Sequence, residues 1–432
     1  MSERIDELLP ASEESDYLLV PAMESLSAPE WPGARWIGTV DLETIPANQP
    51  MRLHQHQGYT RARLLVREGA AVRGFIDVAI SEGSVDPALL QEAIAALPPL
   101  IPQNSSSSMP FISVVVCTRD RAAQLRGALT SILALDYPHF EVLVIDNAGR
   151  TAETQDMVRN EFTDPRVTLT SEPVPGLSRA RNAGLLKARG AIVAYTDDDV
   201  IVDSLWLRQI AAAFERSPET ACVTGLVPAG ELRSPAQGYF DGRVNWSSSL
   251  VPEVYSLADP PEDLPKFPFS PGVFGTGANF ALDRLAAITL GGFDTALGVG
   301  TRTGGGEDID MFCRVILEGY ALVVQPSAIV WHRHRDGLPD LLAQARGYGS
   351  GLGAWMTKVL LDPKTSGLAL ARSGGVARQF VQNRRLAADK RPAETASADR
   401  QLARVLRTEL LWVARGPFNY FLARGFGASR AP

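Results

Sequence analysis

From Phe111 onward, short bounded apolar runs alternate with stretches whose apolar residues recur at helical spacing. Phe111-Ile112-Ser113-Val114-Val115-Val116-Cys117 reads as a buried strand, and the next stretch places Leu125, Leu129, Ile132 and Leu133 on one helical face. A second run, Glu141-Val142-Leu143-Val144-Ile145, ends in Asp146-Asn147. A helix from about 152 to 162, a short strand over 167–170 and a helix over 178–188 follow, and then the run Ala191-Ile192-Val193-Ala194-Tyr195-Thr196. Strands alternating with helices predict a mostly parallel, doubly wound α/β sheet.

The pattern differs on either side of this region. Residues 1–103 read as a small α+β domain, with alternating strands over 36–42, 62–67 and 72–78, a turn at 68–71, and Asp86 capping a helix over 87–96. His54 and His56 near its centre have no further Cys or His to support a metal site and read as a polar loop. Residues 104–109 form a serine-rich linker. Residues 110–345 hold the alternating pattern, and 346–432 read as a basic helical region with irregular stretches at 362–375 and 389–397.

Composition narrows the class. In 432 residues, 45% hydrophobic and 21% charged composition supports a large soluble core, and no apolar run approaches the ~20 residues of a membrane span. The start lacks the basic-then-apolar layout of a signal peptide. Cys117, Cys222 and Cys313 form neither a metal spacing nor a disulfide framework, which points to the cytoplasm. Fifteen Lys and Arg against five Asp and Glu from Arg346 to Pro432 give that region +10, leaving 27 against 44, or −17, for the rest. Apolar and aromatic residues interleave with the arginines there, at Leu402, Val405, Leu406, Leu410, Val413, Phe418, Tyr420, Phe421 and Phe426. A basic tail on an acidic body is a candidate peripheral contact with the inner face of a membrane. Packing on the protein's own acidic body, or on a second subunit of an oligomer, is the competing reading. No nucleic acid partner is expected.

The chemistry concentrates after the run 191–196, where Asp197, Asp198 and Asp199 sit together. Open α/β sheets bind ligands outside the carboxyl ends of their strands. Clustered carboxylates resist joint ionisation, and a divalent cation removes that cost. Oxygen ligands suit Mg2+ or Mn2+. Glu307-Asp308 opens a helix with the apolar stripe Ile309, Phe312, Cys313 and Ile316, behind Gly304-Gly305-Gly306, which lets backbone approach a substrate closely. His332 and His334 follow the strand 328–331 and share one face. Tyr239, Trp246 and Trp331 have the chemistry to stack on sugar faces, although aromatic residues are more often core.

Eight segments in order resemble the GT-A glycosyltransferases of family 2 over about 110–350. They are 115–121 (Val-Val-Cys-Thr-Arg-Asp-Arg), 144–147 (Val-Ile-Asp-Asn), 176–184 (Gly-Leu-Ser-Arg-Ala-Arg-Asn-Ala-Gly), 196–200 (Thr-Asp-Asp-Asp-Val), 275–281 (Gly-Thr-Gly-Ala-Asn-Phe-Ala), 291–294 (Gly-Gly-Phe-Asp), 304–310 (Gly-Gly-Gly-Glu-Asp-Ile-Asp) and 331–334 (Trp-His-Arg-His). The resemblance implies a Rossmann-like catalytic domain, a nucleotide-diphosphate sugar donor (UDP- or dTDP-linked), a glycan or lipid-linked acceptor, and inversion at the anomeric carbon. It places Thr118, Arg119, Arg121, Asp146, Arg179, Asn182, Asp197 and Asp198 at the nucleotide sugar. Asp199 and His332 would bind Mn2+ or Mg2+, with His334 as the alternative histidine. Asp308 would be the base and Glu307 would orient a hydroxyl, while Gly277, Asn279 and Gly306 would shape the acceptor side. Polysaccharide synthesis for the cell envelope is the matching process. Two rivals stay open: a sugar-phosphate nucleotidyltransferase, which would not need Glu307-Asp308, and an inactive sugar-binding scaffold, which would be expected to have lost Asp199 or Asp308.

Overall fold

The structure is a computed structural model describing residues 17–25, 27–45, 49–101, 108–244, 250–270, 272–373 and 396–427. The N-terminal strands are β1 (Tyr17–Leu19), β2 (Trp36–Asp41), β3 (Met51–Leu53), β4 (Arg61–Glu68), β5 (Ala71–Ala79) and β6 (Ser84–Val85), followed by α1 (Pro87–Ala95). They form two three-stranded sheets, β1-β3-β6 and β2-β4-β5. Asp86 caps α1 by accepting from Ala88 N at 2.7 Å, with Pro87 in the first turn where a missing N–H costs nothing. One face of β2-β4-β5 buries Trp36, Leu64 and Val66 against Leu90 and Ile94 of α1. Its other face carries Ile37, Leu65 and Val72, which pack with Leu226, Ala229, Ile329 and Trp331 of the main body. Arg67 to Asp203 and Arg63 to Asp241, both at 2.7 Å, flank that contact.

The main body runs β7 (Ile112–Thr118), α2 (Ala122–Leu133), β8 (Phe140–Asn147), α3 (Glu153–Glu161), β9 (Val167–Glu172), α4 (Leu177–Lys187), β10 (Ile192–Thr196), β11 (Val200–Val202), α5 (Trp206–Phe214), β12 (Thr220–Leu226), α6 (Pro235–Arg243), β13 (Glu253–Tyr255), β14 (Asn279–Asp283), α7 (Arg284–Thr289), α8 (Glu307–Leu317) and β15 (Ala321–His332). The sheet order is β11-β15-β12-β14-β10-β7-β8-β9, with β13 also on β15. Strands β7 to β10 pair in parallel, as alternation with helices requires, and β14 enters antiparallel between β10 and β12. One face packs on α2 and α5 through Leu125, Leu129, Trp206 and Ile210; the other packs on α4, α7 and α8 through Leu185, Ala287, Phe312 and Ile316.

β15 is much longer than the expected strand over 328–331, and its two halves have different partners. It runs beside β12 to Gln325, then jumps register from Gly225↔Gln325 to Leu226↔Ile329 and continues beside β11. The bulge carries Pro326, a residue that cannot donate to a ladder. Gly225 is required opposite it, because a Cβ there would lie 2.1 Å from Ala328 O. The jump sets Val200 opposite His332, and so brings the histidine beside the aspartate cluster.

The C-terminal region is α9 (Leu338–Leu361), α10 (Pro363–Ser373) and α11 (Ala396–Gly427). The stretch expected to be irregular at 362–375 is thus mostly α10. Asp362 Oδ1 accepts from Lys364 N at 2.9 Å ahead of Pro363, a helix start signal. The other expected irregular stretch lies, up to 395, outside the described residues, as do Trp246 and most of the linker. The helix expected from Ser204 begins two residues later, with Asp203 Oδ1 accepting from Leu205 N at 3.0 Å. The boundary expected at 345–346 falls inside α9.

Glycines decide where α9 sits. Gly347 and Gly351 lie against the backbone of Gly304 and Gly305, and a Cβ on Gly306 would meet Gly351 O at 2.7 Å. On the adjoining side, Gly353 meets Val413 O and Gly416 Cα, so α11 runs parallel to α9 in backbone contact.

Candidate active site

The carboxyl ends of β7, β8 and β10 converge with the start of α8 and the end of β15. Asp197, Asp199 and His332 bring ligand atoms within 4.8 Å of one another. His332 Nε2 lies 3.3 Å from Asp199 Oδ1 and 4.0 Å from Asp197 Oδ2. Two carboxylates and an imidazole fit a six-coordinate divalent ion such as Mn2+ or Mg2+, with positions left for donor oxygens. His334 lies beside His332, Nδ1 to Nδ1 at 3.3 Å with the rings tilted by 44°, and is outside that three-residue group.

Asp198 turns elsewhere. Its oxygens accept from Thr118 Oγ1 at 2.7 Å and from Arg121 Nη1 at 2.5 Å. Arg121 Nη2 also reaches Asp199 Oδ2 at 2.7 Å, so one guanidinium ties the two aspartates to the end of β7. Arg335 approaches Asp199 at 3.7 Å, a neighbour that the sequence reading missed. Burial pushes the Asp199 carboxyl up, but His332 and Arg121 outweigh it and hold it well below the usual carboxylate range. Burial, with the Asp199 charge added, raises Asp197, and burial takes Asp198 to about 7. Burial disfavours the His332 cation, yet Asp199 beside it prevails and raises the ring's value.

A second centre faces this one across Arg181. The buried guanidinium donates to Glu307 Oε1 at 3.0 Å and to Gly277 O at 2.9 Å, and lies 3.9 Å from Asp197 Oδ1. It rests over the Phe280 and Phe293 rings at 5.2 and 5.6 Å. Gly277 N donates to Asp308 Oδ2 at 2.8 Å. A Cβ on Gly277 would meet Arg181 Nη2 at 2.8 Å, so only glycine lets these groups close up. Burial and the adjacent Asp308 charge push Glu307 to about 7, and its Oε2 is buried with no hydrogen-bond partner.

At the end of β8, Asp146 accepts from Gln155 Nε2 at 2.8 Å through Oδ2. Its Oδ1 is buried with no hydrogen-bond partner, and a Cβ on Gly149 would lie 2.7 Å from it. Arg119 is exposed at the end of β7, and Arg179 is half-buried in the first turn of α4; neither makes an ion pair among the described residues.

Other residues named from the sequence have their hydrogen bonds committed to the scaffold. Asn182 exchanges two bonds with the Phe293 backbone, at 2.7 and 2.8 Å. Asn279 is fully buried; it donates to Leu226 O and Ala328 O at 3.0 and 2.8 Å and accepts from Trp206 Nε1 at 2.8 Å. It holds the β15 bulge. Gly306 takes φ 93° at the start of α8. Trp331 is buried under the N-terminal sheet, and Tyr239 packs beside Phe240 and Leu341.

The sequence reading also missed Tyr348 on α9, whose hydroxyl accepts from Gln344 Nε2 at 3.0 Å. Tyr348 is 38% exposed and sits one residue after Gly347, which lies against Gly304 of the loop leading to Asp308. The only signal was the run Gly347-Tyr348-Gly349-Ser350-Gly351.

Residues 113–277 match the family model described as Glycosyl transferase family 2. A pre-mycofactocin glycosyltransferase of Mycobacterium tuberculosis is 26% identical over 329 residues, which is 72% of this chain and 64% of that protein. A glucosyl-dolichyl phosphate glucuronosyltransferase of Haloferax volcanii is 25% identical over 192 residues, 43% of this chain and 57% of that protein. The chain thus spans under two thirds of the length of these relatives. Among solved structures, a mannosyltransferase from Pyrobaculum calidifontis in complex with GDP-Man and Mn2+ aligns with TM-score 0.45 and 20% identity, covering 76% of this chain and 91% of that one. Strand order and acidic cluster agree with the match of residues 113–277 to glycosyl transferase family 2.

Proposed function

We propose that this protein transfers a sugar from a nucleoside-diphosphate sugar to a hydroxyl of a glycan or lipid-linked acceptor, with inversion and with Asp308 as the base. The observation that carries the reading is the pairing of two centres across Arg181: a divalent-cation group on one side and the Glu307-Asp308 carboxylates on the other. An inverting transfer needs that arrangement, with leaving-group stabilisation on one face and a base on the opposite face. Asp197, Asp199 and His332 would hold Mn2+ or Mg2+, which when bound neutralises charge on the diphosphate as a Lewis acid.

This chain's own residues supply the rest. The unpartnered Asp146 Oδ1 accepts an N–H from a pyrimidine such as uracil or thymine. Arg119 and Arg179 offer uncommitted cationic charge beside the phosphate path, Arg179 from a helix N-terminus. Glu307 orients a sugar hydroxyl through its unpartnered Oε2. Asp308, held in place by Gly277 N, takes the acceptor proton. The test is donor hydrolysis and transfer with UDP-, dTDP- and GDP-sugars, with and without Mn2+, and product anomers read by NMR. Formation of a nucleoside-diphosphate sugar from a sugar phosphate and a nucleoside triphosphate, with release of pyrophosphate, would favour the rival transferase instead, and inertness with every donor would favour a scaffold.

A further inference from the structure

Helix α11 contacts α9 along one side. Val405 packs against Leu341 and Ala345, Gly416 lies on Gly353, and Tyr420 packs against Ala354. Its opposite side is apolar and bare. Leu410, Leu411, Phe418 and Phe421 are 58–68% exposed, and Leu406 47%. Met356 and Leu360, at i+3 and i+7 from Gly353, extend the exposed apolar surface on α9.

Among the described side chains of α11 the exposed charges have one sign. Arg404, Arg407 and Arg415 are exposed on α11, while Arg424 pairs with Asp294 of the main body at 3.0 Å. Glu409 is the one carboxylate among the helix's described side chains, and it turns inward to pair with Arg243. The whole chain carries −7, so this face is charged against the overall balance. No helix among the described residues is long and apolar enough to cross a membrane.

We propose that this outward face of α11 docks on an anionic lipid surface. The leucines and phenylalanines would enter the headgroup–acyl boundary while the arginines reach lipid phosphates, the division of labour of an interfacial helix. A second copy fits less well, because a two-fold contact on this face would set the same arginines against themselves. The placement has a consequence for the site. Gly347 and Gly351 of α9 rest on the Gly304-Gly305 loop that leads to Asp308, so a docked α11 would hold the active site one helix away from the bilayer. The proposal does not depend on which sugar is moved, or whether one is.

Co-sedimentation of the full chain with vesicles decides it. Pure phosphatidylcholine is compared with a phosphatidylglycerol mixture, at low and high salt. The expected result is binding to the anionic vesicles alone at low salt, lost at high salt. Leu410→Glu with Phe421→Glu should lower that binding at least about tenfold, as should Arg404→Gln with Arg407→Gln, with melting unchanged because all four side chains are exposed. Equal binding to both vesicle types, or none at low salt, overturns the proposal. So does a dimer, seen by sedimentation, that Leu410→Glu with Phe421→Glu breaks while vesicle binding stays as it was.

Discussion

Gly277 N donates to Asp308 Oδ2 at 2.8 Å while Gly277 O accepts from Arg181 Nη2 at 2.9 Å, so one peptide segment sets both a carboxylate and the cation that balances it. This fixes Asp308 without covering it, since the residue remains half-buried. Asp308→Asn keeps the shape and removes the base. Turnover should fall about 10²- to 10⁴-fold with donor affinity unchanged. Steady-state transfer and calorimetric donor binding check both halves. Transfer at the wild-type rate would move the base to Glu307, whose Oε2 is buried without a hydrogen-bond partner, whereas both Asp308 oxygens accept backbone N–H groups.

Asp199 sits between His332 at 3.3 Å and Arg121 at 2.7 Å. Asp199→Ala should abolish Mn2+-dependent UDP binding and leave the fold intact, because Arg121 keeps its bond to Asp198. Titration calorimetry with and without Mn2+ reads the effect. If the mutant binds metal and nucleotide as the wild type does, the cation group is assigned to the wrong residues. His332→Ala should weaken the same binding in part, whereas His334→Ala should act only through the orientation of His332.

The sequence pattern made the parallel half of the sheet legible. The apolar runs of β7, β8 and β10 are continuous and short, and buried parallel strands read that way. The acidic cluster was legible because local order in the chain places Asp197 to Asp199 directly after β10. Their division of labour was not. Which aspartate faces the cation group and which faces Thr118 depends on backbone turns that neighbouring residues of the same type do not encode. Arg181 gave no sign of being buried, because its partners Glu307 and Gly277 are more than ninety residues away. Asn279 and Asn182 carry motif positions yet hold scaffold, since a buried amide looks the same in sequence whether it binds substrate or backbone. The glycine pairing of α9 with the catalytic loop and α11 is a contact between distant segments and leaves only a composition trace.

Asn279 therefore makes a sharp test. Its amide holds the β15 bulge through Leu226 O and Ala328 O and takes the Trp206 N–H. Asn279→Ala leaves those groups unsatisfied in the core, and each costs about 1–3 kcal/mol. Loss of stability in urea should come with weaker Mn2+ binding, because the bulge sets the register that brings His332 to Asp199. A mutant of normal stability with a raised acceptor KM alone would assign Asn279 to the acceptor instead.

A pH-dependent contribution to stability lies away from the active site. Glu141 in β8 is buried and accepts from Ser113 Oγ at 2.7 Å, Arg189 N at 2.9 Å and Arg189 Nε at 2.7 Å. Burial pushes its carboxyl up, but the bonds from Ser113 and Arg189 prevail and hold it below the ordinary glutamate value. The Arg189 side chain is mostly exposed, so the hydroxyl and backbone donors count for more than the ion pair. A folded-state value below the unfolded one means the stabilisation is fully present above the unfolded glutamate value, about 4.3, and fades as pH falls through the folded value. Glu141→Gln should cost about 1.5–3 kcal/mol at neutral pH, the usual worth of hydrogen bonds to a charged group. The gap between wild type and mutant should then narrow below about pH 4 as the wild-type carboxylate takes up its proton. Urea unfolding across the acid range measures that gap. A gap that stays constant with pH would mean Glu141 stabilises by shape and neutral hydrogen bonding, without its charge.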